Sequence, residues 1–165
     1  MNLADLMSEE RILTDLSEDS KRGVLQALVD QLVDLGDVEN GDQVVDLLLE
    51  REELMTTGVQ TGFAIPHAFS ENVLRPIVAM ARVSDGVEWQ SLDQKPVHYV
   101  FLLLGPPAAR GIHLRLLARV SRLLTNKVFD HRLREAKTPE EILSAIRKTE
   151  TELALDGAAR QGGAQ

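Results

Sequence analysis

The 165-residue sequence contains no cysteine, which excludes disulfides, a thiolate nucleophile and a cysteine-ligated metal. The same absence is consistent with a reducing cytoplasm, the location that we expect. No apolar run is long enough to span a bilayer, because the longest extends only from Tyr99 to Leu104. The first ten residues have neither a basic region nor a long apolar core, so they predict no secretory signal.

Positive charge is also scarce, with 18 basic residues against 26 acidic ones and a net charge of -8. Such a surface repels phosphate backbones, so we expect no nucleic-acid partner. Hydrophobic residues make up 44% of the chain and charged residues 27%, which is typical of a soluble globular domain. The length predicts one domain, which we assign to residues 1–154. The composition of residues 155–165 predicts a disordered C-terminal tail.

The first part of the chain predicts two helices. Ser17 has the character of an N-cap, and apolar residues at helical spacing continue to about Gly36. Asn40 and Gln43 have the spacing of a capping box and open a second helix. That helix should end at the stretch Thr56-Thr57-Gly58.

The remaining elements are strands followed by helices. Predicted strands are Arg11–Leu16, Gly62–Ile65, Ile77–Val83, a possible edge piece at Val87–Trp89, and the uncharged Val97–Leu104. Predicted helices are one from Ile112, a short basic one at Asp130–Lys137, and a last one capped by Thr138 with Pro139 and Glu141 following. This order predicts an α/β or α+β domain in which helices cover a mostly buried sheet.

Four histidines are present, and two of them lie where chemistry is expected. His131 sits among arginines on a solvated helix, and His98 is best explained as a hydrogen-bonded residue of the central strand. His67 follows a short apolar strand in the segment GFAIPHAF, where Pro66 should fix the backbone as the strand ends. His113 follows a strand-to-helix connection, where α/β folds place ligand sites.

Two interpretations of these residues stay open from the pattern alone. In the first, His67 and His113 are satisfied core residues, Arg51 is a solvated helix residue, and Thr56, Thr57 and Gly58 form an ordinary loop. In the second, an unprotonated imidazole acts as a nucleophile that carries a phosphoryl group. A second histidine, a cation and backbone N–H groups of the loop would then hold the phosphoryl oxygens.

Two motifs resemble a known family. They are REELMTTG at residues 51–58 followed by GFAIPH at 62–67, and HLRLLA at 113–118. These motifs resemble the EIIA domains of the phosphoenolpyruvate-dependent sugar phosphotransferase system. Within the fructose/mannitol class of that system, the sequence is most similar to the nitrogen-related EIIA proteins. The similarity extends from about Arg11 to Glu150.

The resemblance implies a mixed β-sheet flanked by helices and a role for each matching residue. His67 would accept phosphate from the phosphohistidine of HPr or of its nitrogen-branch counterpart. His113 would stabilise the phosphoryl group and Arg51 would support the charge, without metal or other cofactor. Members of the nitrogen-related branch act mainly as cytoplasmic regulators of proteins such as potassium-transport components and sensor kinases.

The sequence departs from the family pattern in one loop, because many members have glycine and asparagine where this chain has Gln60 and Thr61. Since the sequence shows no permease segment and no EIIB-like cysteine, we expect a free-standing carrier. The alternatives are a sugar-specific EIIA that passes phosphate to an EIIB, and a phosphate-independent binding module. For protein docking we expect an accessible His67 with an apolar rim that includes Phe69 and Leu54.

Overall fold

A computed structural model describes residues 1–163 of the chain. The strands are β1 (Ile12–Leu13), β2 (Phe63–Ala64), β3 (His67–Phe69), β4 (Ile77–Val87) and β5 (Val97–Gly105). The helices are α1 (Lys21–Asp34), α2 (Gly41–Leu54), α3 (Arg110–Leu124), α4 (Lys127–Glu135) and α5 (Pro139–Gly162). Short 3-10 turns precede β1, β2 and α3.

The strands form one mixed sheet with the order β1-β4-β5-β2, in which β3 also pairs with β5. Strands β4 and β5 are antiparallel, whereas β1 is parallel to β4 and both β2 and β3 are parallel to β5. The predicted fold class, an α/β domain with a mixed sheet flanked by helices, is confirmed.

Both faces of the sheet are buried, which explains why β5 carries so little charge. Alternate residues of β4 and β5 face opposite sides, so Phe101 packs in one core and Leu102 in the other. Helices α1 and α2 cover one face, and α3, α4 and α5 cover the other. Val87 is the last residue of β4 and pairs with Val97, whereas Trp89 lies beyond the strand, so the predicted separate edge piece at Val87–Trp89 is wrong.

The helix starts test three predicted caps. Thr138 accepts a hydrogen bond from the Glu141 N–H at 3.1 Å, as predicted. Helix α1 begins later than predicted, because Ser20 rather than Ser17 caps it and accepts from the Gly23 N–H. The capping box at Asn40 is wrong. The side chains of Asn40 and Gln43 both bond to Asn72 instead, a partner 29 or more positions away.

The tail also differs from its prediction. Helix α5 continues through residues 155–162, although the composition there predicts disorder. Alanine, leucine, arginine and glutamine are good helix formers, and extending an existing helix requires no new nucleation. A domain end at residue 154, which falls inside α5, stays a prediction. Residues 164 and 165 lie outside the described residues. No helix of residues 1–163 is long and apolar enough to cross a membrane.

Candidate functional site

His67 is positioned by an edge strand that proline interrupts and that then resumes. Strands β2 and β3 both pair with β5, and Ile65 and Pro66 separate them. The Pro66 carbonyl still accepts a hydrogen bond from the Leu103 N–H at 3.0 Å. Proline has no backbone N–H, but no sheet hydrogen bond is lost because Pro66 lies on an edge strand. His67 then pairs with Leu103 as the first residue of β3. Strand β2 therefore ends before the proline, as expected, but a second strand begins at His67 and pairs with the same strand β5, which the sequence did not predict.

A backbone contact sets the tautomer of His67. Its Nδ1 lies 2.8 Å from the carbonyl oxygen of Ile65. A carbonyl oxygen can only accept, so in the neutral ring Nδ1 carries the proton and Nε2 keeps the lone pair. The side chain is half-buried rather than sealed from solvent. His67 thus has an oriented ring with a basic nitrogen that a partner can reach.

His113 lies beside His67 on the first turns of α3, with the two ring centroids 5.7 Å apart. Its side chain is 1% exposed, and neither ring nitrogen has a hydrogen-bond partner among the described residues. Burial, reinforced by the nearby charge of protonated His67, lowers the pKa of His113 to about 4. The ring is therefore neutral at pH 7 and holds an unused donor and an unused acceptor.

Phe69 and Arg110 complete the surroundings of His113. The Phe69 ring centroid lies 4.4 Å from that of His113, and the Arg110 guanidinium carbon lies 5.1 Å from the centre of the Phe69 ring. Phe69 is half-buried at the place where sequence reasoning expected an apolar rim. Arg110 was missed. Nothing in the sequence separates it from the other arginines of the basic segment that follows.

Arg51 lies in the last turn of α2, a helix that packs against β3. Its guanidinium Nη1 donates to the Met55 carbonyl oxygen at 3.2 Å, so it closes the end of its own helix. Leu54 and Met55 follow it and are 83% and 65% exposed. The structure thus places Arg51 on an element beside His67, and an ion-binding role for it stays a prediction.

The hydrogen-bond donors of the loop formed by Thr56, Thr57 and Gly58 are bonded to other groups of the protein. The Thr57 N–H and hydroxyl both donate to the carboxylate of Glu52, and the Gly58 N–H donates to the Thr56 hydroxyl at 3.1 Å. A phosphate-holding role for this loop, as the sequence suggested, would require these bonds to be exchanged. It also stays a prediction.

Glu52 is a buried carboxylate that sequence reasoning missed. Its Oε2 lies 3.0 Å from the Lys21 ammonium, and the Trp89 indole N–H donates to the Thr57 hydroxyl at 3.3 Å. The loop folds back over the helix end, so a carboxylate that looks solvated in the sequence becomes enclosed. Nothing in the sequence around Glu52 indicates that this carboxylate is buried, because its ion-pair partner Lys21 lies 31 positions away.

Backbone geometry explains two positions near this loop. A side chain at Gly58 would bring Cβ within 2.3 Å of the Ser91 hydroxyl oxygen and 3.0 Å of the Ser91 Cα, so only glycine fits. Thr61 has φ of +67°, in the left-handed region that suits glycine or asparagine better than a β-branched residue. Its N–H donates to Asp93 at 3.2 Å. The Gln60-Thr61 departure therefore introduces local backbone strain.

The other histidines lie away from the pair. The His98 Nδ1 lies 3.2 Å from the carbonyl oxygens of Val83 and of Ser84, which fits the predicted hydrogen-bonded role. His131 is exposed. Within residues 1–163, no group of three or more His, Cys, Asp or Glu side chains could hold a metal ion. The site itself consists of the His67 and His113 imidazoles, with Arg51 and Arg110 on the flanking elements.

Fold and site together define a class, a small α/β domain that presents a histidine pair at a sheet edge. A family model described as "Phosphoenolpyruvate-dependent sugar phosphotransferase system, EIIA 2" matches residues 5–149. The chain belongs to this family, and the predicted resemblance is confirmed. EIIA components of this system transfer phosphate through histidine, so membership supports a phosphocarrier role.

Two curated relatives match this chain over most of their own length. A nitrogen regulatory protein of Bradyrhizobium diazoefficiens is 36% identical over 146 residues, which are 88% of this chain and 95% of the relative. A fructose-specific EIIA component of Haloferax volcanii is 38% identical over 127 residues, 77% of this chain and 82% of the relative. Relatives of both the regulatory and the sugar-specific kind are therefore present.

Solved structures agree with the fold. The nitrogen regulatory protein IIA-Ntr of Neisseria meningitidis superposes with a TM-score of 0.81 at 26% identity, covering 87% of this chain and 97% of that one. Mannitol IIA of Escherichia coli, solved in complex with phosphorylated IIB, superposes with a TM-score of 0.73 at 20% identity, covering 86% and 97%. The second likeness supports the fold alone.

Proposed function

We propose that this protein is a phosphohistidine carrier of the phosphotransferase system and that His67 is the residue that carries phosphate. The observation that supports this most is the bond from Nδ1 to the Ile65 carbonyl at 2.8 Å, which leaves Nε2 as the nucleophile. Nε2 attacks the phosphorus of a donor phosphohistidine. A new P–N bond forms at His67 as the donor's P–N bond breaks, and the electron pair returns to the donor imidazole.

His113 stabilises the transferred group. Its ring is buried and neutral, with both nitrogens unpaired among the described residues. Buried polar groups normally have partners, so these two nitrogens beside the nucleophile are available to hold a group that is transferred to His67. A phosphoryl oxygen on His67 would accept from the His113 N–H. Arg51 and Arg110 add positive charge from the flanking elements.

The donor is an HPr-like protein that docks over His67. The end of α2 exposes Leu54 and Met55, and α3 exposes Leu114, 66% of which is accessible, directly after His113. Exposed apolar side chains on two elements that flank one reactive residue are typical of a protein-docking face. A protein donor can reach the half-buried His67, which a sealed core histidine would prevent.

The physiological role is regulation in the nitrogen branch, in the cytoplasm. Phosphorylation adds close to two negative charges at an apolar surface and so changes which proteins bind there. The regulated partners would be proteins such as potassium-transport components and sensor kinases. The 36% identity to a nitrogen regulatory protein over almost its full length supports this role.

The test is phosphorylation from phosphoenolpyruvate with the general phosphotransferase proteins, read by intact mass. HPr and its nitrogen-branch counterpart are supplied in separate reactions. We expect one acid-labile phosphate on the wild type and none on His67→Ala. The exposed His131→Ala is the matched control and should gain phosphate normally. If the wild type stays unmodified with both donors while remaining folded, the phosphate-independent binding module replaces the carrier.

A second candidate is a sugar-specific EIIA that passes phosphate to an EIIB. The 38% identity to a fructose-specific EIIA component favours it. Phosphorylated protein is mixed with a fructose-type EIIB, and loss of phosphate from His67 is followed. Rapid transfer to the EIIB, together with sugar uptake that depends on this chain, would replace the regulatory role by sugar transport.

A further inference from the structure

A basic cleft lies on the α4 and α5 side of the sheet, near the start of β5. Its volume is about 460 Å³, and it is lined by Arg82, Ser84, His98, Tyr99, Arg134 and Lys137. No carboxylate lines it among the described residues. In a chain with a net charge of -8, this concentration of basic groups is unusual. A contrasting cleft at the end of α2 is lined by five acidic residues and two basic ones.

The basic cleft is separate from the histidine pair. His98 and Tyr99 lie at the beginning of β5, whereas His67 pairs with Leu103 near its end. A strand rises about 3.4 Å per residue, so the two places are roughly 14 Å or more apart along β5. A ligand in the cleft therefore cannot be the phosphoryl group of His67.

Arg82 brings an uncompensated charge to the cleft. Its guanidinium donates to the carbonyl oxygens of Thr14, Ala136 and Lys137, and no described carboxylate lies within 4.0 Å of it. The carbonyls fix the guanidinium plane without neutralising it. Since the group has five N–H donors and these bonds use three, two remain for a ligand.

The other two cations of the cleft, Arg134 and Lys137, differ in whether a carboxylate pairs with them. Arg134 lies over the Tyr99 ring with its guanidinium carbon 5.8 Å from the ring centre, and it pairs with Asp130 at 3.1 Å. Lys137 is exposed, and its ammonium has no described carboxylate within ion-pair distance. Arg82 and Lys137 thus provide two cations without an ion-pair partner among the described residues, beside the hydroxyl of Ser84. The Glu141 carboxylate lies at the edge of the cleft and accepts from the backbone N–H of Lys137.

We propose that this cleft is a binding site for a small dianion, either a phosphate monoester or a short dicarboxylate. Two uncompensated cations match two negative charges, and a fixed guanidinium pairs well with phosphate or carboxylate oxygens. The site does not depend on the phosphocarrier function.

The experiment is an NMR titration of the ¹⁵N-labelled full chain at constant ionic strength. One arm adds glycerol 3-phosphate and the other adds succinate, with sodium chloride as the baseline anion. We expect saturable shifts of the Ser84, His98 and Tyr99 amides in at least one arm. The arm that binds more tightly identifies the ligand class.

Two variants make the test specific. Lys137→Gln removes one uncompensated cation and should weaken binding about tenfold, as expected for a charged hydrogen bond. Lys148→Gln makes the same charge change on an exposed part of α5 that does not line the cleft, and it should bind normally. No saturable shift at the cleft in either arm, or equal binding by both variants, would overturn the proposal.

Discussion

The histidine pair and the Thr56–Gly58 loop lie close to the same edge of the sheet, yet their polar groups are in opposite states. The loop lies along the outer side of β2, where the Ile65 N–H donates to the Thr57 carbonyl at 3.1 Å. Its hydroxyls and two of its amides are paired, with Glu52, with Trp89 and with each other. Both ring nitrogens of His113 are buried and unpaired among the described residues. The paired groups hold the loop in place, whereas the nitrogens of His113 are available to a group carried by His67.

The largest expected effect comes from removing a hydrogen-bond partner of the Thr56–Gly58 loop. Glu52→Ala should lower the free energy of unfolding by roughly 4 kcal/mol, because it leaves the Lys21 ammonium and the Thr57 donors without their partner. Denaturant unfolding measures this change. The exposed neighbour is the control, and Glu53→Ala should change stability by less than about 0.5 kcal/mol. Equal effects of the two variants would contradict a structural role for the loop network.

Acid should destabilise the folded protein through His113. The folded pKa of His113 is about 4, below its ordinary value of 6.5, so the unfolded state binds the proton more tightly. Stability from this residue is complete above pH 6.5 and is lost as pH falls toward 4, by roughly 3 kcal/mol in total.

Unfolding of wild type and His113→Phe across this pH range isolates that contribution from the carboxylates. Phenylalanine keeps most of the ring volume and cannot be protonated. We expect the stability difference between the two proteins to shift toward the variant as pH falls. Parallel pH profiles would show that His113 is not held neutral by burial.

The same variant tests the chemistry at neutral pH. His113→Phe should slow phosphate gain by His67 about a hundredfold, the usual cost of losing one donor to a developing charge. The rate is followed by intact mass with saturating donor. His131→Ala serves as the control and should react at the wild-type rate. An unchanged rate in His113→Phe would show that His113 does not stabilise the phosphoryl group during transfer to His67.

The smallest effect concerns the loop departure. Thr61→Asn should raise the free energy of unfolding by about 1 kcal/mol, because asparagine adopts a φ of +67° with less strain than threonine. The N–H bond to Asp93 is kept. Thermal unfolding measures the change, with Thr151→Asn on exposed α5 as the control. A destabilised Thr61→Asn would mean that the threonine side chain contributes more than its backbone strain costs.

Local patterns predicted the layers of this fold well, because the uncharged run of β5, which is buried on both faces, and the Thr138 cap depend on neighbours in the sequence. They failed at Asn40 and Gln43, whose side chains bond to Asn72. Which of several possible partners such a side chain bonds to depends on which of them the fold brings close.

The site shows the same division. The motifs identified His67 and His113, and the structure brings their rings together. Glu52 and Arg110 escaped notice because their environments arise from long-range packing. A carboxylate enclosed by a returning loop and an arginine over an aromatic ring have no local signature. The sequence predicted that the edge strand ends at Pro66 but not that pairing resumes at His67, since the restart depends on the register with β5.

The central claim is that the phosphoryl group is carried by Nε2 of His67. It is tested most directly by NMR of the phosphorylated protein with ¹⁵N-labelled histidine side chains. We expect one phosphorylated imidazole, assigned to His67, with phosphorus coupled to Nε2 and the proton retained on Nδ1. Phosphorus coupled to Nδ1 of His67, or to either nitrogen of His113, would contradict it.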